Sequence, residues 1–179
     1  MFRKAYVTAT IALMLVVMGA AMTGCPQDIL EPYTVTIENL GDVEFNEVIA
    51  ATHSCAATVF REGELASAAL ISLLTESTST ALEDALNSMD GVQEVYVAGQ
   101  PLTAFNTLEF TIQGLPCAQL SLIAGPIGDP QFAGLDAIQL PRDDATRVYY
   151  ALLYAPNDTN EVEALTSSST MLRVTITKN

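Results

Sequence analysis

Short stretches in which apolar and polar residues alternate recur along this chain, and turn-forming residues separate them. Two clear examples are residues 33–38 (Y-T-V-T-I-E) and residues 171–177 (M-L-R-V-T-I-T). A period of two places successive side chains on opposite faces of a β-strand, so each stretch predicts a strand with one buried face. Other predicted strands lie at residues 45–52, 57–60, 94–98, 107–113, 119–124, 136–140 and 148–154. Eight or nine short strands with regular turns predict a mainly antiparallel β-sandwich.

A helical period replaces this alternation in the middle of the chain. Apolar side chains recur at helical spacing in residues 64–76, and a second apolar stripe follows in residues 80–89. Thr80 and Glu83 have the spacing of a capping box, which marks the start of a helix. Gly91 has the character of a residue that ends one. The sequence therefore predicts two short helices inserted together between strands.

The first residues of the chain have the features of an export signal. Arg3 and Lys4 precede an apolar run over residues 5–22, and Gly24 and Cys25 follow it. The sequence M-T-G-C resembles the bacterial lipobox, in which a peptidase cuts before a cysteine whose sulfur carries a diacylglycerol. This resemblance implies a membrane-anchored lipoprotein of the bacterial cell envelope, periplasmic or surface-exposed. An uncleaved membrane anchor and plain secretion remain as alternatives.

This interpretation divides the chain into three parts. Residues 1–24 are the predicted lipoprotein signal peptide, and residues 25–32 are the lipidated Cys25 and a short tether. Residues 33–179 have a length typical of a single domain. Several acyl chains at Cys25 would anchor the protein firmly, because a single chain gives only marginal membrane binding.

The charge of the chain excludes one class of partner. There are 21 acidic and seven basic residues, and the formal charge is −14. Two of the basic residues, Arg3 and Lys4, lie in the signal, so its removal makes the charge −16. Nucleic acids are bound by basic side chains that neutralise phosphates, so no nucleic-acid partner is expected. The acidity either serves solubility or supplies oxygen ligands to calcium.

The remaining cysteines, Cys55 and Cys117, are predicted to form a disulfide. Two cysteines in an oxidising compartment most simply pair, and two separate buried thiols are the alternative. The only histidine, His53, lies two residues before Cys55, which raises the idea of a reactive thiolate. Catalytic Cys–His pairs are usually assembled from distant segments, so this idea is disfavoured.

A series of phrases resembles the spondin domain, the family named from F-spondin and mindin and also found in bacterial envelope proteins. Their order and spacing carry the resemblance more than any single phrase does. It implies an eight-stranded antiparallel sandwich, similar to calcium- and lipid-binding domains, and a binding or adhesion role without catalysis. It also implies that His53 is a structural imidazole at a strand end. The phrases are Y-T-V-T-I-E-N-L (33–40), V-I-A-A-T-H-S (48–54), V-F-R-E-G-E-L-A-S (59–67), L-S-L-I-A-G-P (120–126), F-A-G-L-D-A-I-Q-L-P (132–141) and Y-Y-A-L-L-Y-A (149–155).

The same resemblance implies a calcium ion between loops at one end of the sandwich. Here the sequence departs from the family, because Pro130 stands where an aspartate is expected and Asp129 lies one residue earlier. In the loop that follows residues 149–155, Thr159 stands where an acidic residue is expected, and Asp158 lies one residue earlier. Calcium needs six to eight oxygen ligands, so the site is either preserved in reshaped loops or lost. The nominal ligands are Asp129, Asn157 and Asp158, with Asp136 as an extra.

Three functions follow as hypotheses. The first is a lipid-anchored envelope module, with or without calcium, that binds a protein or glycan at the cell surface or matrix. The second is a structural envelope protein that assembles through a face or edge of its sandwich and holds no metal. The third, a β-sandwich hydrolase, is disfavoured because the chain has one histidine and no G-x-S-x-G or H-E-x-x-H motif.

Overall fold

A computed structural model describes residues 29–126, 130–165 and 171–179. These residues form nine strands and two helices. In chain order the elements are β1 (Glu31–Asn39), β2 (Glu47–His53), α1 (Ala68–Glu76), α2 (Thr80–Asn87), β3 (Val92–Val97), β4 (Thr107–Gly114), β5 (Gln119–Gly125), β6 (Phe132–Gln139), β7 (Arg147–Pro156), β8 (Val162–Ala164) and β9 (Leu172–Lys178). The predicted mainly β fold with two short helices is confirmed.

All strand pairs are antiparallel, and β7 joins two sheets. Sheet I consists of β4, β1, β9 and the first half of β7, where residues 147–151 pair with β9. Sheet II consists of β3, β2, β5, β6 and the second half of β7, which also pairs with β8. The strand order is β3-β2-β5-β6-β7-β9-β1-β4. The two sheets face each other as the predicted antiparallel β-sandwich.

The edge strands β3 and β4 come together without forming a ladder. Side chains of β2 and β3 bond to the backbone of β4 and of the residue after it instead. The N–H of Leu115, just beyond β4, donates to Gln93 Oε1 at 2.8 Å. The N–H of Gln113 donates to the carboxylate of Glu94. The hydroxyl of Thr52 donates to the carbonyl of Gln113 at 2.5 Å. These bonds satisfy backbone groups that an open edge would expose, so the sandwich is nearly closed.

The main core lies between the two sheets. Alternate residues of β1 enter it, and Tyr33, Val35 and Ile37 are fully buried while the residues between them are partly exposed. β4 and β9 show the same alternation. Strands of this kind carry a period of two in the sequence because only one of their faces is covered.

A second core covers the outer face of sheet II. Leu70, Leu73 and Leu74 of α1 and Leu82 and Leu86 of α2 pack there. Six successive residues of β2 and of β5 are buried as a result, because both faces of these strands are covered. The helices therefore form a third layer on one side of the sandwich.

Three aromatic rings complete this second core. The ring of Phe60 packs edge-on against Phe132 and Tyr154, with centroids 5.3 and 5.2 Å away. Gly134 makes this approach possible, because a Cβ at that position would lie 2.7 Å from Phe60 Cζ. Residues 57–60, predicted as a strand, are instead a loop whose apolar side chains Val59 and Phe60 fill this core.

Two further predictions need correction. The first helix begins at Ala68, not at residue 64, because the hydroxyl of Ser67 caps it by accepting from the N–H of Leu70 at 3.1 Å. The predicted capping box at Thr80 is wrong: Ser79 is the N-cap of α2, and no side-chain cap bond forms. Gly91 ends the helical segment with a φ of 89°, as expected.

The sandwich has two ends with different contents. The chain enters at the end that holds the start of β1, the β4–β5 turn and the β6–β7 connection, and we call this the entry end. The far end holds the β1–β2 and β3–β4 loops, the β5–β6 loop and the β7–β8 turn. Every predicted calcium ligand except Asp136 falls in the far-end loops by sequence, Asp129 among the residues that the structure does not describe.

Candidate functional site

The β7–β8 turn at the far end is organised by Asn157. Its Oδ1 accepts hydrogen bonds from the N–H and the hydroxyl of Thr159, at 2.9 and 2.7 Å, and from the N–H of Glu161 at 3.0 Å. Its Nδ2 donates to the carboxylate of Glu163 at 2.7 Å. The side-chain oxygen is thus fully used within the turn. Asn157 therefore organises the turn, and its role as a calcium ligand stays a prediction.

The structure separates two other predicted calcium ligands. Phe132 of β6 pairs with Tyr154 of β7, and the two strands run in opposite directions from that point. Asp136 lies four residues along β6, roughly 13 Å toward the entry end. Asp158 lies four residues beyond Tyr154, exposed in the far-end turn. Asp136 is therefore not an extra ligand for a site at Asp158.

Residues 29–126, 130–165 and 171–179 contain no group of three or more His, Cys, Asp or Glu side chains placed to hold a metal ion. Asp129 lies outside these ranges, as does the predicted lipidation site Cys25. The calcium site at the far end therefore stays a prediction that rests on Asp129 and Asp158.

A buried asparagine fixes the remaining far-end loops. Asn39 is 3% exposed, and its Nδ2 donates to the carbonyl of Val43 at 2.6 Å and to that of Thr103 at 3.1 Å. Its Oδ1 accepts from the N–H of Gly41 at 3.0 Å. One side chain therefore ties the β1–β2 loop to the β3–β4 loop. Pattern analysis could not single out Asn39, because asparagine at a strand end is ordinary.

These fixed loops present two apolar side chains to solvent. Phe105 is 72% exposed and has a φ of 57°, and its N–H donates to the carbonyl of Gly41. A positive φ is costly for a bulky residue, and strained residues of this kind cluster at functional sites. Leu40 is also exposed, and the neighbouring Asp42 and Glu44 are acidic. The far end thus combines an apolar tip with a negative surround.

At the entry end, His53 and Ser121 form a buried polar pair. His53 Nε2 lies 2.8 Å from Ser121 Oγ, and Nδ1 lies 2.9 Å from the carbonyl of Ser54. A carbonyl can only accept, so Nδ1 carries a proton and donates to Ser54, and Nε2 shares the second hydrogen bond with the Ser121 hydroxyl. Ser121 Oγ in turn accepts from the N–H of Ala137, in a bulge of β6. The expected structural role of His53 agrees with this geometry.

Asp136 lies beside this pair, half-buried at the margin of the second core. Burial raises the pKa of its carboxyl, and the nearby charges of Arg61 and His53 oppose this effect. The pKa of the Tyr154 phenol is likewise raised, first by burial and then by the charges of Glu62 and Asp136. These shifts follow from the packing of the loop that holds Arg61 and Glu62 against sheet II.

Cys55 and Cys117 line one cavity of about 380 Å³ at the entry end. The predicted disulfide between them is not formed, because Cys55 is a free and exposed thiol. β2 ends at His53, and Cys55 lies two residues further on, in a turn. His53 and Cys55 therefore do not lie on one strand, and His53 bonds to Ser54 and Ser121.

A second cavity of about 400 Å³ adjoins the first, and both are lined by Gln139 and Arg142. It also contains Arg147 and Tyr149 of β7. This cleft lies where β6 and β7 part, and we call it the β6–β7 cleft. No feature of the sequence marked it, since residues 141–144 had only the character of a turn.

A scan against models of known protein families gives no match to this chain, and no curated protein is significantly similar in sequence. None of the helices in the described part of the chain is both long and apolar enough to span a membrane.

Proposed function

We propose that this protein is a lipid-anchored module of the bacterial envelope that binds a macromolecular partner through the far end of its sandwich and carries out no catalysis. The resemblance to the spondin domain favours this role, as does the lipobox-like sequence at Cys25. The partner is a protein or glycan at the cell surface or matrix. The calcium ion expected from the resemblance would strengthen the same end of the molecule.

One observation carries this proposal. Phe105, an exposed aromatic side chain held on a strained backbone, lies at the end of the sandwich opposite to the point where the chain enters. A protein anchored at its N-terminus would direct this end away from the membrane. Exposed aromatic residues held rigidly are common anchors of binding interfaces, because little conformational entropy is lost when they are buried.

The surroundings of Phe105 favour a particular kind of partner surface. Asp42 and Glu44 are exposed in the loop that Asn39 ties to the Phe105 loop. Charges around an interface steer association with oppositely charged surfaces. The partner surface that fits is therefore an apolar pocket with basic residues at its rim, and a protein meets this description better than an uncharged glycan does.

The absence of catalysis is supported by the state of the one Ser–His pair. Both His53 and Ser121 are at most 1% exposed, and each is held by further backbone bonds. A substrate has no path to the Ser121 hydroxyl. The pair has the bonding of a structural element that satisfies the backbone at a bulge.

The test is cross-linking at the far end followed by a binding measurement. A photoreactive phenylalanine analogue is placed at position 105 in cells, and at position 29, which is equally exposed at the entry end, as the control. The cross-linked protein is identified and purified, and its Kd is measured with the wild type, Phe105→Ser and Ile29→Ser. We expect Phe105→Ser to weaken binding at least about tenfold, as for an interface hot spot, and Ile29→Ser to leave it unchanged.

Equal cross-linking at positions 105 and 29, or equal affinity of the wild type and Phe105→Ser, would reject the far end as the binding surface. Cross-linking of position 105 to a second copy of this chain would instead favour the structural assembly protein.

One observation favours this alternative, in which the protein assembles through a face of its sandwich. Val148, Tyr150 and Leu152 form a stripe, each about half exposed, on the outer face of β7.

A further inference from the structure

The β6–β7 cleft exists because two neighbouring strands separate. β6 and β7 pair at only three positions, residues 132–134 with residues 152–154. Toward the entry end from these pairs, β6 pairs only with β5 in sheet II, and β7 pairs only with β9 in sheet I. The hydroxyl of Tyr149 bridges the gap by donating to the carbonyl of Gln139 at 2.9 Å. The result is a cleft of about 400 Å³ between the sheets, within the size range of small-ligand sites.

The charges of this cleft differ from those of the rest of the molecule. The described chain has five basic side chains, and three of them are engaged in ion pairs: Arg61 with Glu64, Arg173 with Glu38 and Lys178 with Glu31. The other two, Arg142 and Arg147, form no ion pair with any described carboxylate, and both line the β6–β7 cleft. In a chain of formal charge −14, the two basic side chains of the described residues that form no ion pair therefore share one concave site.

One acidic side chain lies in the cleft beside the two arginines, so the three charged side chains that line it carry a net formal charge of +1. Asp143 lines the same cleft, and its Oδ1 accepts from the N–H of Ala145 at 3.3 Å, within the β6–β7 connection. This bond holds the turn that carries Arg142. The guanidinium groups of Arg142 and Arg147 keep all of their donors available, because neither makes a hydrogen bond to another described residue.

We propose that the β6–β7 cleft binds a phosphate group through Arg142 and Arg147. A guanidinium group offers a planar fork of donors that matches phosphate oxygens in pairs. Inorganic phosphate and phosphate monoesters offer three or four oxygens to two such forks, and the two unesterified oxygens of a phosphodiester each accept more than one hydrogen bond. The Gln139 side chain and the Tyr149 ring form the polar and apolar walls of the site. This proposal is independent of the far-end function, since it concerns the opposite end of the molecule.

The phosphate has two possible sources, and the location of the cleft bears on both. Arg147 lies opposite Ile176 at the entry end of sheet I, two strands from the start of β1, where Ile29 and Leu30 are exposed. In an anchored protein this end would face the membrane, so one source is the headgroup of an anionic phospholipid. The other source is a soluble phosphate or phosphate ester.

Titration calorimetry with soluble probes tests the proposal and separates the sources. The probes are inorganic phosphate, dihexanoyl phosphatidylglycerol below its micelle concentration and, as a zwitterionic control, dihexanoyl phosphatidylcholine. The proteins are the purified wild type, Arg142→Gln, Arg147→Gln and Arg61→Gln. Arg61→Gln is the matched control, because it removes the same charge from an exposed side chain that is already paired with Glu64.

We expect binding of inorganic phosphate or of the phosphatidylglycerol probe, weakened at least about tenfold by Arg142→Gln or Arg147→Gln, the equivalent of about 1.4 kcal/mol. Arg61→Gln should leave it within twofold. Binding of inorganic phosphate alone assigns a soluble ligand, and binding of the phosphatidylglycerol probe alone assigns a headgroup. No binding of either probe at millimolar concentration overturns the proposal. So does an equal loss in Arg61→Gln, which would reflect net charge alone. A thermal melt of each variant checks that it is folded.

Discussion

The phenol of Tyr33 donates a hydrogen bond to the carboxylate of Glu31, whose Oε2 lies 3.4 Å away and also pairs with Lys178 at 2.8 Å. Tyr33 is fully buried at the start of β1. Burial, followed by the charge of Glu31 and the hydrogen bond to it, raises the pKa of Tyr33 from 10.0 to about 12. The first strand of the domain is thus fixed by a phenol that must remain neutral.

This relationship predicts a loss of stability in alkaline solution. The unfolded chain releases the Tyr33 proton near pH 10, whereas the folded chain keeps it to about pH 12. Stability is therefore full below pH 10 and falls as the pH rises toward 12, by about 2–3 kcal/mol from this group. Denaturant unfolding at intervals of pH would measure it. Tyr33→Phe should show a shallower decline, and equal slopes for the two proteins would contradict the assignment.

The bonds between His53, Ser54 and Ser121 predict that this buried pair stabilises the fold. His53→Ala removes two hydrogen bonds and leaves a cavity, and we expect a loss of about 2–4 kcal/mol in the free energy of unfolding. Ser121→Ala should cost less, about 1–2 kcal/mol, because it leaves no large cavity. Thr111→Ala, exposed on β4, serves as the control. A stability unchanged by His53→Ala would show that the pair serves another purpose.

Unlike the pair of His53 and Ser121, the ionised carboxylate of Asp136 lowers the stability of the fold. Because burial raises the pKa of its carboxyl, the folded chain disfavours the charged form, and stability falls as the pH rises through the titration of this group. Asp136→Asn should therefore raise the melting temperature at pH 7, by an amount worth less than about 1 kcal/mol. The gain should disappear in acid, where both side chains are neutral. A lower melting temperature at pH 7 would mean that the attraction of Arg61 and His53 outweighs burial.

Cys55 should be accessible to thiol reagents in the folded protein. It is exposed and free, so an aromatic disulfide reagent should label one more thiol per chain in the wild type than in Cys55→Ser. The measurement is made in native buffer, before and after treatment with a reductant. If Cys55 is labelled only after reduction, the result would support the disulfide that the sequence predicts.

Calcium binding can be tested with variants that the structure distinguishes. If the far end binds calcium with a Kd of roughly 0.1–1 mM, about 10 mM calcium should stabilise the wild type by about 1.4–2.7 kcal/mol relative to chelator. This corresponds to several degrees in the melting temperature. Asp129→Ala and Asp158→Ala should abolish the shift.

Asp136→Ala is the matched control for this experiment, because β6 carries Asp136 away from the far-end loops. It should retain the calcium shift. A shift lost in Asp136→Ala but kept in Asp158→Ala would place the ion at a different site. No shift in the wild type would mean that calcium does not bind.

The strands of sheet I and their boundaries could be predicted from the sequence. β1, β4 and β9 each have one face on the core and one in solvent, so burial and the alternation of residue types coincide. The strands of sheet II were harder to delimit. The first half of β6 is buried on both faces, and the short β8 depends on its pairing with β7, so neither gives a local signal. Residues 57–60 had the composition of a strand, but they form a loop whose apolar side chains pack into the second core.

The sequence by itself determined the fold class, the pair of helices and the acidic character of the chain, because these follow from local periodicity and composition. Only the tertiary structure decided which side chains meet. Arg173 pairs with Glu38, 135 residues away, whereas Arg142 and Arg147 have no carboxylate partner among the described residues. Asn39 joins two loops that are far apart in the chain, and Asp136 is carried away from Asp158 by the direction of β6. Contacts of this kind depend on strand order and register, which no local pattern of residues encodes.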